Sequence, residues 1–137
     1  MVSMVNNSIL IVREIYYIFP WCNGNEYGDV DIRSQKEFDS GFHIIRFNCP
    51  SESKSNWAVF EWKKSGLNFY TCNRIRTNHC LSLGKYYLKD VYKAALKASI
   101  GHSYSSNYNS NKWCEMFAWY LDKKNIKLHG NCSCFNL

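Results

Sequence analysis

Asn56-Trp-Ala-Val-Phe-Glu-Trp-Lys-Lys-Ser-Gly-Leu-Asn-Phe-Tyr-Thr-Cys72 decides the fold class of this chain. Asn56 to Trp62 and Leu67 to Cys72 flank Lys63-Lys-Ser-Gly66, a polar four-residue turn with glycine at its last position, and the arrangement reads as an antiparallel hairpin. Before it, Gly41-Phe-His-Ile-Ile-Arg-Phe-Asn48 is a further strand, broken by Pro50 and the loop 51–55. Ser8 to Phe19 reads as the first strand, and Asn23 to Ser40, rich in Gly, Asn, Asp and Ser, as a long polar connection. After the hairpin the pattern changes. Leu88, Val91, Tyr92, Ala95 and Leu96 form a helical stripe within Tyr86 to Ser99, bounded by Gly84 and Gly101. A Ser/Asn-rich loop, Ser103 to Asn111, leads to a second helix ending at Lys123-Lys-Asn125, with a short terminal strand from Ile126 to His129. Strands first and helices after predict an α+β domain, an antiparallel sheet with helices packed on one face. Neither a repeat nor a linker divides residues 1–137.

With 46% hydrophobic and 17% aromatic residues the chain has the material for one packed core and is too apolar for disorder. The formal charge of +6 allows weak attraction to nucleic acid or an anionic membrane surface. Lys63-Lys64 and Lys123-Lys124 are the adjacent cationic pairs, and neither a polybasic arm nor a phosphate-tracking stripe is visible. Seven cysteines, an odd number without a regular framework, point to a reducing compartment and a cytoplasmic location. Ile9-Leu-Ile-Val12 is followed at once by Arg13 and Glu14 with no cleavage site, so it reads as strand rather than signal peptide. No segment approaches the roughly 18 apolar residues of a membrane span.

The second helix carries the chemistry. In Lys112-Trp-Cys-Glu-Met-Phe-Ala-Trp-Tyr-Leu121 the residues Trp113, Met116, Phe117, Tyr120 and Leu121 fall on one apolar face. With Asn111 as N-cap, Cys114 is the third helical residue, where unpaired N–H groups and the positive dipole end favour a thiolate. Such a nucleophile needs a base. His43 lies on a strand in register with Ile45 and Phe47, so it points toward the face a helix would cover, where it can meet Cys114; His129 is the second choice. His79 and His102 read as exposed.

Strand histidine, hairpin, helix and late helical cysteine, in that order, resemble the circularly permuted NlpC-type papain-like thiol enzymes, including the lecithin retinol acyltransferase-like and PPPDE-type proteins. Their cysteine motif often reads Asn-Cys-Glu-His-Phe-Val with a tyrosine upstream. The corresponding run is Trp113-Cys-Glu-Met-Phe-Ala118, with Tyr108 upstream. Cys114, Glu115 and Phe117 match, whereas Trp113 replaces the asparagine and Met116 the histidine. The resemblance spans about Gly41 to Asp122. It implies a papain-like domain with a Cys114–His43 dyad and a third polar residue, Asn56 or Glu61, orienting the imidazole. The implied reaction is hydrolysis or acyl transfer at an amide, isopeptide or ester bond of a protein, peptide or lipid, through a thioester and without cofactor or metal.

Two other readings compete with it. Cys72, His79, Cys80, His129, Cys132 and Cys134 are ligand types for tetrahedral zinc, but neither group contains a Cys-x-x-Cys knuckle. A non-catalytic module that binds protein or nucleic acid would instead use aromatics interleaved with cations, as in Asn68-Phe-Tyr-Thr-Cys-Asn-Arg-Ile-Arg76.

Overall fold

A computed structural model describes residues 25–35, 42–49, 56–72 and 77–128; at 34–35, 42–44, 49, 56, 71–72 and 77–80 it describes the backbone alone. The expected first strand, Ser8 to Phe19, lies outside the described residues. The chain forms β1 (Tyr27–Gln35), β2 (Phe42–Cys49), β3 (Asn56–Lys63), β4 (Gly66–Cys72) and β5 (Thr77–Tyr87), then α1 (Leu88–Ser99) and α2 (Ser110–Asp122). The strands make one sheet in the order β4-β3-β2-β1-β5, with every neighbouring pair antiparallel. The class is α+β, as the residue pattern predicts.

The hairpin lies where the residue pattern places it. Lys63 pairs with Gly66, and Gly66 takes φ +104°, a backbone region that favours glycine. Two strands, β1 and β5, depart from expectation. Tyr27–Gln35 falls within the expected polar connection but is an inner strand, because Val30 and Ile32 alternate into the core while Asp31 and Arg33 point the other way. Asp31 receives Arg33 of its own strand at 3.0 Å and Arg46 of the next strand at 3.3 Å, so its carboxylate is paired both along β1 and across the ladder, while Arg33 Nε is buried without a hydrogen-bond partner. In β5 the ladder skips one residue between Val30/Asp31 and another between Ile32/Arg33, and each irregularity breaks the period-two pattern.

β5 runs into α1 without a loop, and Leu88 N donates to Glu26 O at 2.8 Å across the junction. α1 lies over β1 and β5 and α2 over β2 and β3. Their shared core contains Val30, Ile32, Ile45, Phe47, Phe60 and Trp62 from the strands, meeting Leu88, Val91, Tyr92, Trp113 and Phe117 from the helices. Aromatic rings organise it. Phe60 meets Phe69 and Tyr92 edge-on at 5.3 and 6.0 Å, and Phe69 stacks on Tyr92 at 4.8 Å. The Trp62 and Trp113 rings are parallel at 6.4 Å, and Tyr108 abuts Trp62 edge-on at 5.9 Å. The expected strand Ile126–His129 is absent over 126–128, which has no regular structure, and His129 lies outside the described residues.

Phe60→Ala, which empties the centre of this cluster, is expected to lower stability by about 3–5 kcal/mol in urea unfolding, whereas Tyr120→Ala, at a position 41% exposed, should stay within about 0.5 kcal/mol.

Candidate functional site

Helix α2 starts part of a turn earlier than its sequence suggests. The N-cap is Asn109, whose Oδ1 accepts from Lys112 N at 3.0 Å, and not Asn111, which is helical. Cys114 is therefore the fifth helical residue rather than the third, beyond the unpaired N–H groups of the first turn. The buried stripe is Ser110, Trp113, Cys114, Phe117 and Ala118, so Cys114 sits within it while Tyr120 is exposed and Met116 half-buried. Burial of the side of the helix that carries Ser110, Cys114 and Ala118, rather than the side that carries Met116 and Tyr120, makes Cys114 a core position. Burial pushes the Cys114 thiol well above its ordinary value of 9.0, and the neighbouring Glu115 charge pushes it the same way.

The expected partners of Cys114 are distributed by the register. His43 pairs with Ser34 in β2, the strand α2 crosses, and its side chain lies outside the described atoms. Asn56 pairs with Cys49, six residues along β2 from His43 or about 20 Å of strand, which is too far to orient an imidazole there. Glu61 alternates with the core residues Phe60 and Trp62 and so lies on the sheet face away from the helices. It is 2% exposed, accepts from Asn68 at 2.9 Å and pairs with Lys63 at 2.9 Å. Neither residue can complete a triad with Cys114. Tyr108 has a structural role. Its hydroxyl donates to Ala98 O, its carbonyl accepts from Trp62 Nε1 at 2.9 Å, and burial raises it to about 12. His102 stacks on it at 3.8 Å. The zinc reading has no support among the described residues, where no three metal-binding side chains cluster; His129, Cys132 and Cys134 lie outside them, as do the side chains of Cys72, His79 and Cys80.

A different site emerges on the outer side of α2. After the helix closes at Lys123, in the left-handed region at φ 51°, the chain turns back, and Leu128 N donates to Glu115 Oε2 at 2.7 Å. Leu128 is buried, Ile126 packs on the core, and a cleft of about 240 Å³ lies between helix and returning segment. Lys112, Lys124 and Lys127 line it together with Asn125, and Met116 and Trp119 supply its apolar wall. Trp119 is 45% exposed. Glu115 also lines the cleft but is held by Leu128 N and lies 4.0 Å from Lys112 Nζ. The signal in the sequence is Trp119 followed by three lysines, which the helix stripe and the helix C-terminus absorb.

Lysines extend over the helix layer. Lys89, Lys93 and Lys97 recur every four residues on the exposed side of α1, about 6 Å apart along the axis. This is a basic stripe that the linear sequence does not display as a charge run. Residues 88–128 hold seven lysines, no arginine and three acids. Two of those acids are engaged, Glu115 as above and Asp122 with the Tyr86 hydroxyl at 2.8 Å. No helix among the described residues is long and apolar enough to cross a membrane. Comparison with protein-family models, curated proteins and solved structures found no match.

Iodoacetamide is expected to label Cys114 in the folded protein at least about tenfold more slowly than in the urea-unfolded chain, read by mass spectrometry. The folded thiol keeps its proton at a pH where the unfolded thiol loses it, so the native state loses relative stability as pH rises through and above about 9. Urea midpoints should therefore fall over that range, and those of Cys114→Ala should fall less.

Proposed function

We propose that this domain is a non-catalytic binding module whose helix layer docks on a polyanion. The observation that carries this reading is the placement of charge: seven lysines against three acids over 88–128, with two of those acids already bonded. The lysines lie outside the core, on α1 at 89, 93 and 97 and around the α2 cleft at 112, 124 and 127, so docking need not disturb the packing. Lysine ammonium groups suit phosphate or sulfate as mobile point charges, and release of the counterions they displace supplies the binding free energy. The buried Cys114 thiol supports the same conclusion from the other side, since a nucleophile must be both ionisable and reachable.

A thiol hydrolase or acyltransferase of papain-like fold is the second reading. One observation favours it: α2 crosses β2, the strand that carries His43. It requires Cys114 to become exposed and needs an orienting residue other than Asn56 or Glu61. Rapid Cys114 alkylation in the folded protein, slowed by His43→Ala, would restore it.

Binding to a fluorescent mixed-sequence oligonucleotide and to heparin is expected to weaken linearly in log–log plots against salt. Changing Lys89, Lys93 and Lys97 together to Gln should reduce the single-strand slope by about 2, at roughly 0.7 for each phosphate no longer neutralised. A salt-independent affinity, or no binding of either polyanion at low salt, would overturn the proposal.

A further inference from the structure

We infer that the cleft between α2 and residues 123–128 is a subsite for one unpaired nucleotide of a single-stranded nucleic acid, with its base on Trp119 and its phosphates on Lys112, Lys124 and Lys127. The inference rests on the polyanion reading and gives it a substrate class. Size is the first argument. A cleft of about 240 Å³ is smaller than the roughly 300 Å³ at which small-molecule pockets begin, and it is partly open to solvent, so it suits one unit of a longer chain rather than a whole folded ligand. Chemistry is the second. A tryptophan that lines a cationic cleft and is 45% exposed offers aromatic surface to a bound chain, and base stacking uses such surface without a hydrogen-bond code.

The third argument concerns which anion fits. The cations that line the cleft among the described residues are lysines, point charges that hold phosphate without a planar fork, and the exposed indole beside them adds aromatic surface that an acidic side chain does not use. Asn125 adds a side-chain amide, a donor and an acceptor together, suited to a base edge or sugar hydroxyl. Glu115 is the one carboxylate in the wall among the described residues, and its charge is engaged by the bond to Leu128 N with Lys112 nearby. The Lys89, Lys93 and Lys97 stripe supplies further phosphate contacts on the neighbouring helix, so the strand need not be held by the cleft alone.

The test compares the full chain with Trp119→Ala and Trp119→Phe in anisotropy titrations against an oligothymidylate, inorganic polyphosphate of matched charge and polyglutamate. Trp119 lies outside the core, and circular dichroism with urea unfolding verifies that the variants keep the fold. Trp119→Ala is expected to weaken oligothymidylate binding about fivefold to a hundredfold, with Phe restoring most of it and polyphosphate affinity unchanged. Lys124→Glu with Lys127→Glu should weaken both phosphate polymers. Equal oligothymidylate affinity in Trp119→Ala overturns the subsite while leaving the polyanion module intact, and failure of both phosphate polymers to bind the wild type overturns the two together. Trp119-dependent binding of polyglutamate as tight as that of oligothymidylate overturns the nucleotide assignment in favour of an acidic peptide.

Discussion

The parallel stack of Trp62 on Trp113 is the contact on which the helix layer depends. One ring comes from the hairpin and the other from the first turns of α2, and each indole nitrogen is committed elsewhere: Trp62 Nε1 to Tyr108 O at 2.9 Å and Trp113 Nε1 to Ser99 Oγ at 2.9 Å. Those two bonds tie β3 to the interhelical loop and α2 to the end of α1. Ser99 Oγ donates in turn to Ala95 O, and the Tyr108 hydroxyl to Ala98 O, so the polar atoms introduced by two large indoles and a phenol all have partners. An indole satisfied in this way contributes its full apolar area without the cost of an orphaned N–H. The stack also fixes the rotation of α2, and that rotation decides which residues are core and which face solvent. Cys114 and Trp119 owe their opposite environments to it.

The sheet is built asymmetrically. One face is aliphatic and aromatic, while the other carries Asp31, Arg33, Arg46 and Glu61 with their partners. Arg46 is shared between Asp31 at 3.3 Å and the Trp57 ring at 3.7 Å, which lets a guanidinium 7% exposed keep its charge compensated. Removing one member would leave an uncompensated buried charge, so these residues behave as a set rather than as independent surface positions. Such a network contributes more to fixing strand register than to net stability, because a one-residue slip would put these charges among the core rings.

The features legible in the sequence are those with a single dominant signal. The hairpin has glycine at the turn and aromatic flanks, and α1 has five apolar residues at helical spacing; both lie where expected, to within two residues. What escapes has competing signals. Among its described side chains β1 contains only Val30 and Ile32 as inward apolar residues, and its ion pair with β2, Asp31–Arg46, depends on a partner fifteen positions away. β5 carries two ladder irregularities that no periodicity search tolerates. Within α2 the expected stripe through Met116 and Tyr120 and the buried stripe through Ser110, Cys114 and Ala118 share Trp113 and Phe117, and packing on the sheet selects between them, while the N-cap at Asn109 rather than Asn111 sets how far Cys114 lies from the helix start. The expected site at Cys114 hangs on that choice. A third-position cysteine and a buried fifth-position cysteine differ by less than a turn of helix, yet one is poised to ionise and the other is shielded. The lysine stripe of α1 is hidden in the linear sequence because i, i+4 spacing is adjacency only after the helix forms.

The two walls of the α2 cleft belong to parts of the molecule with unequal resistance to opening. The helical wall is anchored by Trp113 and Phe117, whereas the returning segment is held, among the described residues, by the bonds of Lys123 N and Lys124 N to the last turn of α2, by the bond of Leu128 N to Glu115 and by the packing of Leu128 and Ile126. Release of that segment would expose Leu128 and uncover the core surface on which Ile126 packs. A ligand touching both walls would add to the contacts that hold the segment against α2, so occupancy of the cleft and docking of the segment would reinforce each other.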